Sequence, residues 1–194
     1  MATAISDPPI SPALTRRLHT ATEYAQMTSL GFFDGERLEL IFGELIQKEM
    51  PQRPAHATAV DLAAETLRTL FTQSFRVRIQ LPLALAGSQS VPEPDVAVVE
   101  GSPRDFATEH PAHAALVVEV SDTTLEADRT TKALAYARGG IEDYWIVNVN
   151  ERTVEVRRQP TESGYQSLQT FRETESVAPL VAPQSLITVA ELLP

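Results

Sequence analysis

Apolar residues recur along the chain with two periods, and the switches between them mark out the elements. In "ATAVDLAAETLRTLFTQ", Val60, Ala63, Ala64, Leu67, Leu70 and Phe71 return every three or four residues, which predicts an amphipathic helix just after Pro54 and His56. "FRVRIQLPLALA", residues 75–86, alternates instead. Phe75, Val77, Ile79 and Leu81 fall on one side and Arg76, Arg78 and Gln80 on the other, as in a half-buried strand. "PDVAVVE" and "ALVVEVS" are near-continuous apolar runs and read as buried strands, separated by a loop holding Pro103 and Pro111. Residues 37–48, "RLELIFGELIQK", read as two strand pieces joined through Gly43, with Glu39 pointing outward. "TATEYAQMTSL" reads as a short helix with Thr20 or Thr22 as its N-cap. Residues 128–138 are helical and stop at Gly139-Gly140. "DYWIVNV", "TVEVRRQ" and "GYQSLQTF" are further strands, the first two around a turn at Asn150-Glu151. "SLITVAELLP" is a strand or a short helix.

Strands dominate and helices are interleaved with them. The fold expected is therefore α/β or α+β: one mixed β-sheet flanked by helices, with an N-terminal helix and extra antiparallel strands. The 194 residues suffice for one domain, assigned to 15–194, with a Pro- and Ala-rich loose tail at 1–14. That tail has Pro8, Pro9 and Pro12 and no apolar core of a signal peptide. No apolar run approaches the roughly 20 residues needed to span a bilayer, so no membrane partner is expected. The chain has no cysteine, which excludes disulfides, thiolate metal sites and a cysteine nucleophile. A cytoplasmic location fits that composition.

Charge narrows the field further. The net charge is −10, whereas proteins that grip DNA through its phosphates usually carry a basic face. Tight autonomous DNA binding is disfavoured, and any nucleic-acid role must rest on local cations or a metal. Neither G-x-G-x-x-G nor G-x-x-x-x-G-K occurs, nor G-x-S-x-G, nor H-E-x-x-H.

One residue resists the bland pattern. Glu119 sits among Leu116, Val117, Val118 and Val120, and a buried carboxylate must be paired, protonated or bound to a cation. The preceding strand begins at Asp95, after Pro94. Adjacent strands lie about 4.8 Å apart, so the two carboxylates can meet at one sheet edge as a hard-oxygen site suited to Mg²⁺ or Mn²⁺. Lys132 follows on a helix that can fold back over that edge, where its ammonium can orient or deprotonate a water, or meet charge on a phosphate. Ordinary readings stand beside these. Asp95 can be a strand-start turn residue, Glu119 half of a buried ion pair, and Lys132 the surface partner of Asp128. Tyr144 and Trp145 read as core, and Arg76 and Arg78 as a solvated face.

The pattern Asp95, Glu119, Lys132 resembles the D…E…K of the PD-(D/E)xK nuclease superfamily. More specifically, the chain resembles the Uma-two family of restriction endonuclease-like proteins. The matching segments are "LELIFGEL", His56 before a helix, "PEPDVAVV", "PAHAALVVEVSDTT", "DRTTKALAYARGGIEDYWIVN" and "RTVEVRR". The resemblance implies a restriction endonuclease-like core and an Mg²⁺- or Mn²⁺-dependent endonuclease, a hydrolase of phosphodiester bonds in DNA. Asp95 and Glu119 would hold one or two ions, with the carbonyl of Val120 completing the shell. Lys132 on the helix replaces a lysine that the superfamily carries at the position of Ser121. Glu44 matches an early acidic residue, as a further ligand or a turn residue. His56 matches a histidine opening the first long helix, as a supporting group or merely its first turn. The chain departs from the pattern at Ser121-Asp122-Thr123, where Ser-Pro-Ser is usual, and at Asn148 and Phe42, where aspartate is usual. Cutting both strands of DNA symmetrically needs two sites, which implies a homodimer. The alternatives are a catalytically idle protein of this fold that binds nucleic acid or protein, a structural or interaction protein in which Glu119 only makes a buried ion pair, and a metal-dependent hydrolase of a small phosphorylated molecule.

Overall fold

A computed structural model of the chain describes residues 15–48 and 53–194; the tail assigned to 1–14 lies outside them. Helix α1, Ala21–Ser29, starts at Thr20, whose hydroxyl and Glu23 form a reciprocal cap. The buried Tyr24 ties this helix to strand β1, Leu38–Ile41, by donating to the Leu38 carbonyl at 2.7 Å. β1 turns back into β2, Glu44–Gln47, through Phe42 and Gly43 at φ 51° and 82°. Two successive left-handed residues are what a tight hairpin needs. The hairpin is not in the main sheet, but Leu40 pairs with Val91, which lays β1 beside the chain leading to Asp95.

Helix α2, Pro54–Leu70, has proline in its first turn, where no N–H is needed. Its face of Ala59, Val60, Ala63, Ala64 and Leu67 is buried. Among the described residues six strands form one sheet in the order β3, β4, β5, β6, β7, β8. They are Phe75–Ile79, Val96–Glu100, Leu116–Ser121, Asp143–Asn148, Thr153–Thr161 and Gly164–Arg172. All pairs are antiparallel except β5 with β6. That parallel step requires a crossover, supplied by α3, Leu125–Ala127, a π-wound turn, Asp128–Lys132, and α4, Ala133–Arg138.

Alternation along β5 divides the core into two layers. Leu116, Val118 and Val120 join Trp145, Val147 and the apolar stripe of α2. Val117 joins Tyr136, Tyr144, Ile146 and Leu83 beneath the crossover. Glu119 shares the parity of Val117 and so faces the crossover. The C-terminus forms both of the structures expected for it: a short strand β10, Ile187–Thr188, paired with β9, Ser176–Val177, then a 3-10 turn, Val189–Leu192, against α2. No helix among the described residues is long and apolar enough to cross a membrane.

The expected strand 75–86 is too long. β3 ends at Ile79, Gln80 takes φ 49°, and Leu81, expected on the buried side, is 45% exposed. Proline at 82 cannot donate to a ladder, and alternation of side chains alone does not reveal that the pairing has stopped.

Candidate active site

Asp95 lies one step before β4, and the β4–β5 register pairs Val96 with Val118, so the next position across from Asp95 is Glu119. Directly opposed residues of an antiparallel pair share a face. Here side chains replace the backbone rungs: the Asp95 N–H donates to Glu119 Oε2 at 3.3 Å, and the Val120 N–H donates to Asp95 Oδ2 at 2.9 Å. Within a strand, a residue's N–H and C=O point to the same side, so the Val120 carbonyl faces the same gap. Pro94 has no N–H with which to extend the ladder, so the strands part at this point. Asp95 and Glu119 are both buried.

Lys132 closes the site from above. Its Nζ lies 2.9 Å from Glu119 Oε1 and 3.4 Å from Glu39 Oε1. The π-wound turn that carries it is a geometry concentrated at functional positions. Four residues on, Tyr136 donates its hydroxyl to Glu119 Oε1 at 2.6 Å. Asp128 is not the ion-pair partner of Lys132; it is buried and accepts from Ser121 Oγ at 2.7 Å and Thr124 Oγ1 at 2.6 Å.

Two expectations are corrected here. Glu39 does not point outward: it is 1% exposed, accepts the Glu93 N–H at 2.9 Å and pairs with Lys48 at 3.0 Å as well as with Lys132. Glu44, expected as the early acidic residue, is not brought to the carboxylates. It sits at the exposed hairpin tip and pairs with Arg16 at 3.2 Å. Both lie in "LELIFGEL", and the pairing of Leu40 with Val91 turns the earlier one inward.

His56, in the first turn of α2, approaches from the opposite layer, with Nε2 3.3 Å from Asp95 Oδ2. Its Nδ1 is buried and without a partner among the described residues. Gln80, which the alternation assigned to a solvated face, completes the group: its amide donates to Asp95 Oδ1 at 3.1 Å. Its backbone N–H reaches the carbonyls of Pro94 and Asp95, both at 3.1 Å, and the left-handed φ of 49° makes that reach possible. Such a conformation costs a non-glycine residue about 1–2 kcal/mol.

Burial dominates the electrostatics. It pushes Glu119 up to about 8, against the pull of Lys132 and with further push from Asp95 and Asp128. Burial raises Asp128 too. Glu39 is nonetheless held below the usual carboxylate range: burial pushes it up, and Lys132, Lys48 and the hydrogen bond from the Glu93 N–H together override that push. Lys132 stays well above its ordinary value: burial works against its charge, and Glu119, Glu39, Asp128 and Asp95 override it. Among the described residues no three histidine or acidic side chains converge as a ready metal cage. The hard-oxygen set is instead Asp95, Glu119 and the Val120 carbonyl.

A mixed sheet with paired acids at a strand end and a lysine on the crossover defines a restriction endonuclease-like class of fold. The family model described as "Putative restriction endonuclease", Uma2, matches residues 21–190, and the chain belongs to that family. Among solved structures it is similar to a putative nuclease belonging to DUF820 from Anabaena variabilis ATCC 29413. The identity is 21% over 89% of this chain and 96% of that one, with a TM-score of 0.69. None of the curated proteins compared matches the chain.

Proposed function

We propose that this protein is a metal-dependent endonuclease that hydrolyses phosphodiester bonds in DNA, with Mg²⁺ or Mn²⁺ held by Asp95, Glu119 and the carbonyl of Val120. The observation that carries this reading is the opposition of Asp95 and Glu119 across two parting strands, with the Lys132 ammonium 2.9 Å from Glu119. Charge balance supports it. Glu39, Asp95, Glu119 and Asp128 are four buried acids, joined in one electrostatic group with the two ammoniums of Lys48 and Lys132. Four negative and two positive charges leave −2, which one divalent ion neutralises. Without it the excess is relieved by protonation, in keeping with the raised Glu119. All-oxygen donors also suit an ion that keeps several waters.

When bound, such an ion acidifies water and offsets charge on the scissile phosphate. The chain's own groups do the rest. Lys132 has three N–H donors, of which Glu119 and Glu39 take two. The third is left to orient the nucleophile or stabilise an oxygen of the pentavalent state. Glu39 keeps the ammonium in place when Glu119 is committed elsewhere. His56 Nε2 stands at Asp95 on the side opposite the crossover, where it can hold a water or a phosphate oxygen.

The test is nicking of supercoiled plasmid by wild type and Lys132→Ala, with Mg²⁺, with Mn²⁺ and with chelator. Cation-dependent nicking that falls at least about 100-fold in the variant is expected. Equal nicking by both proteins overturns the reading. A second reading, an idle protein of this fold, draws on the closed Lys132–Glu119 pair and the net charge of −10. It expects no nicking, and no response of the protein to either metal.

A further inference from the structure

Counting lone pairs separates the oxygens at the site. An ionised carboxylate offers about four acceptor positions. Glu119 Oε1 is filled by Lys132 and Tyr136, and Asp95 Oδ2 takes the Val120 N–H and lies against His56. The two remaining oxygens each carry one donor among the described residues: Glu119 Oε2 the Asp95 N–H, and Asp95 Oδ1 the amide of Gln80. These are the oxygens with acceptor capacity left for a cation. The donor to Glu119 Oε2 is backbone and fixed by the register. The donor to Asp95 Oδ1 is a side chain, on a residue held at φ 49° outside any strand. Its own N–H is bonded to Pro94 and Asp95 carbonyls, so residue 80 is clamped to the Asp95 backbone and side chain together.

We propose that Gln80 is a positioning residue for the cation site: its amide holds Asp95 Oδ1 from one side while the Val120 N–H holds Oδ2 from the other, and together they fix the rotation at which the Asp95 carboxylate is presented to a cation. This rests on the metal-dependent reading above. Without the amide the carboxylate is held at one oxygen only and can turn about its last bond, so its presentation to a cation is no longer fixed. Partners that orient a metal-ligating group typically change metal affinity by 10–100-fold when removed.

The experiment is calorimetric titration of Mn²⁺ into wild type, Gln80→Met, Gln80→Gly and Asp95→Ala, with melting of each metal-free protein. Methionine keeps the length and the strained backbone and lacks the donor. Glycine lacks the donor and releases the left-handed strain. The two variants should therefore differ from each other in metal-free Tm, yet both should weaken Mn²⁺ binding by about tenfold or more. Wild-type affinity in Gln80→Met, or an affinity loss that tracks Tm across the two variants, overturns the role of Gln80 while leaving the metal site standing. A wild type that fails to bind Mn²⁺, or binding unchanged in Asp95→Ala, overturns both.

Discussion

Glu119 lies among valines that could have continued as a uniform core, yet it is sealed behind Lys132 and Tyr136. Its carboxyl is pushed from an ordinary 4.5 to about 8. Between those values the folded chain holds a proton that the unfolded chain has released, so this residue makes stability fall as pH rises through the window. Glu119→Gln cannot titrate. The expected outcome in chelator is equal melting of variant and wild type near pH 5, with the variant about 5 °C or more higher near pH 9. Each kcal/mol moves Tm by roughly 2–4 °C in a chain of this size. A difference in Tm that does not change with pH would contradict this account of Glu119. Part of the site was legible residue by residue, because a carboxylate in a β-branched run and another at the start of the preceding strand can be read as neighbours. Glu39 and Gln80 were not. Each obeys strand alternation locally, and each is turned to its partner by a long-range contact: Leu40 with Val91, and the Gln80 N–H with Pro94 and Asp95.

At the scale of elements, the hairpin β1–β2 carries more than its size suggests, because it delivers Glu39 to Lys132. Its turn depends on Gly43. A Cβ there would lie 2.7 Å from Leu18 Cβ and 2.9 Å from the His19 carbonyl oxygen, on a backbone at φ 82°. The His19 N–H donates to the Gly43 carbonyl at 2.9 Å, so the segment before α1 would have to move. Gly43→Ala should therefore cost more than the ordinary 1 kcal/mol or so of a point change, read as a lowered denaturant midpoint. A midpoint equal to wild type would show that the turn tolerates a side chain. Most elements could be foreseen, since the apolar stripe of α2, the buried runs of β4 and β5 and the glycine stop after α4 are local signals. The end of β3 and the π-wound turn were not, because both are imposed by what the chain must reach.

The whole chain carries a net charge of −10, so on the proposed reading affinity for DNA has to come from the cation and a few local bases rather than from overall charge. Symmetric cleavage of two strands needs two such groups held together. Light scattering on the eluting protein should accordingly give the mass of two chains, and the mass of one would exclude the homodimer. The most direct measurement is titration of the protein with Mn²⁺ followed by electron paramagnetic resonance, in which free aqueous ion is seen and bound ion is attenuated. Wild type should take up about one ion per chain before the free signal grows, and Asp95→Ala should not. A free signal rising from the first addition to wild type would contradict a divalent site between Asp95 and Glu119.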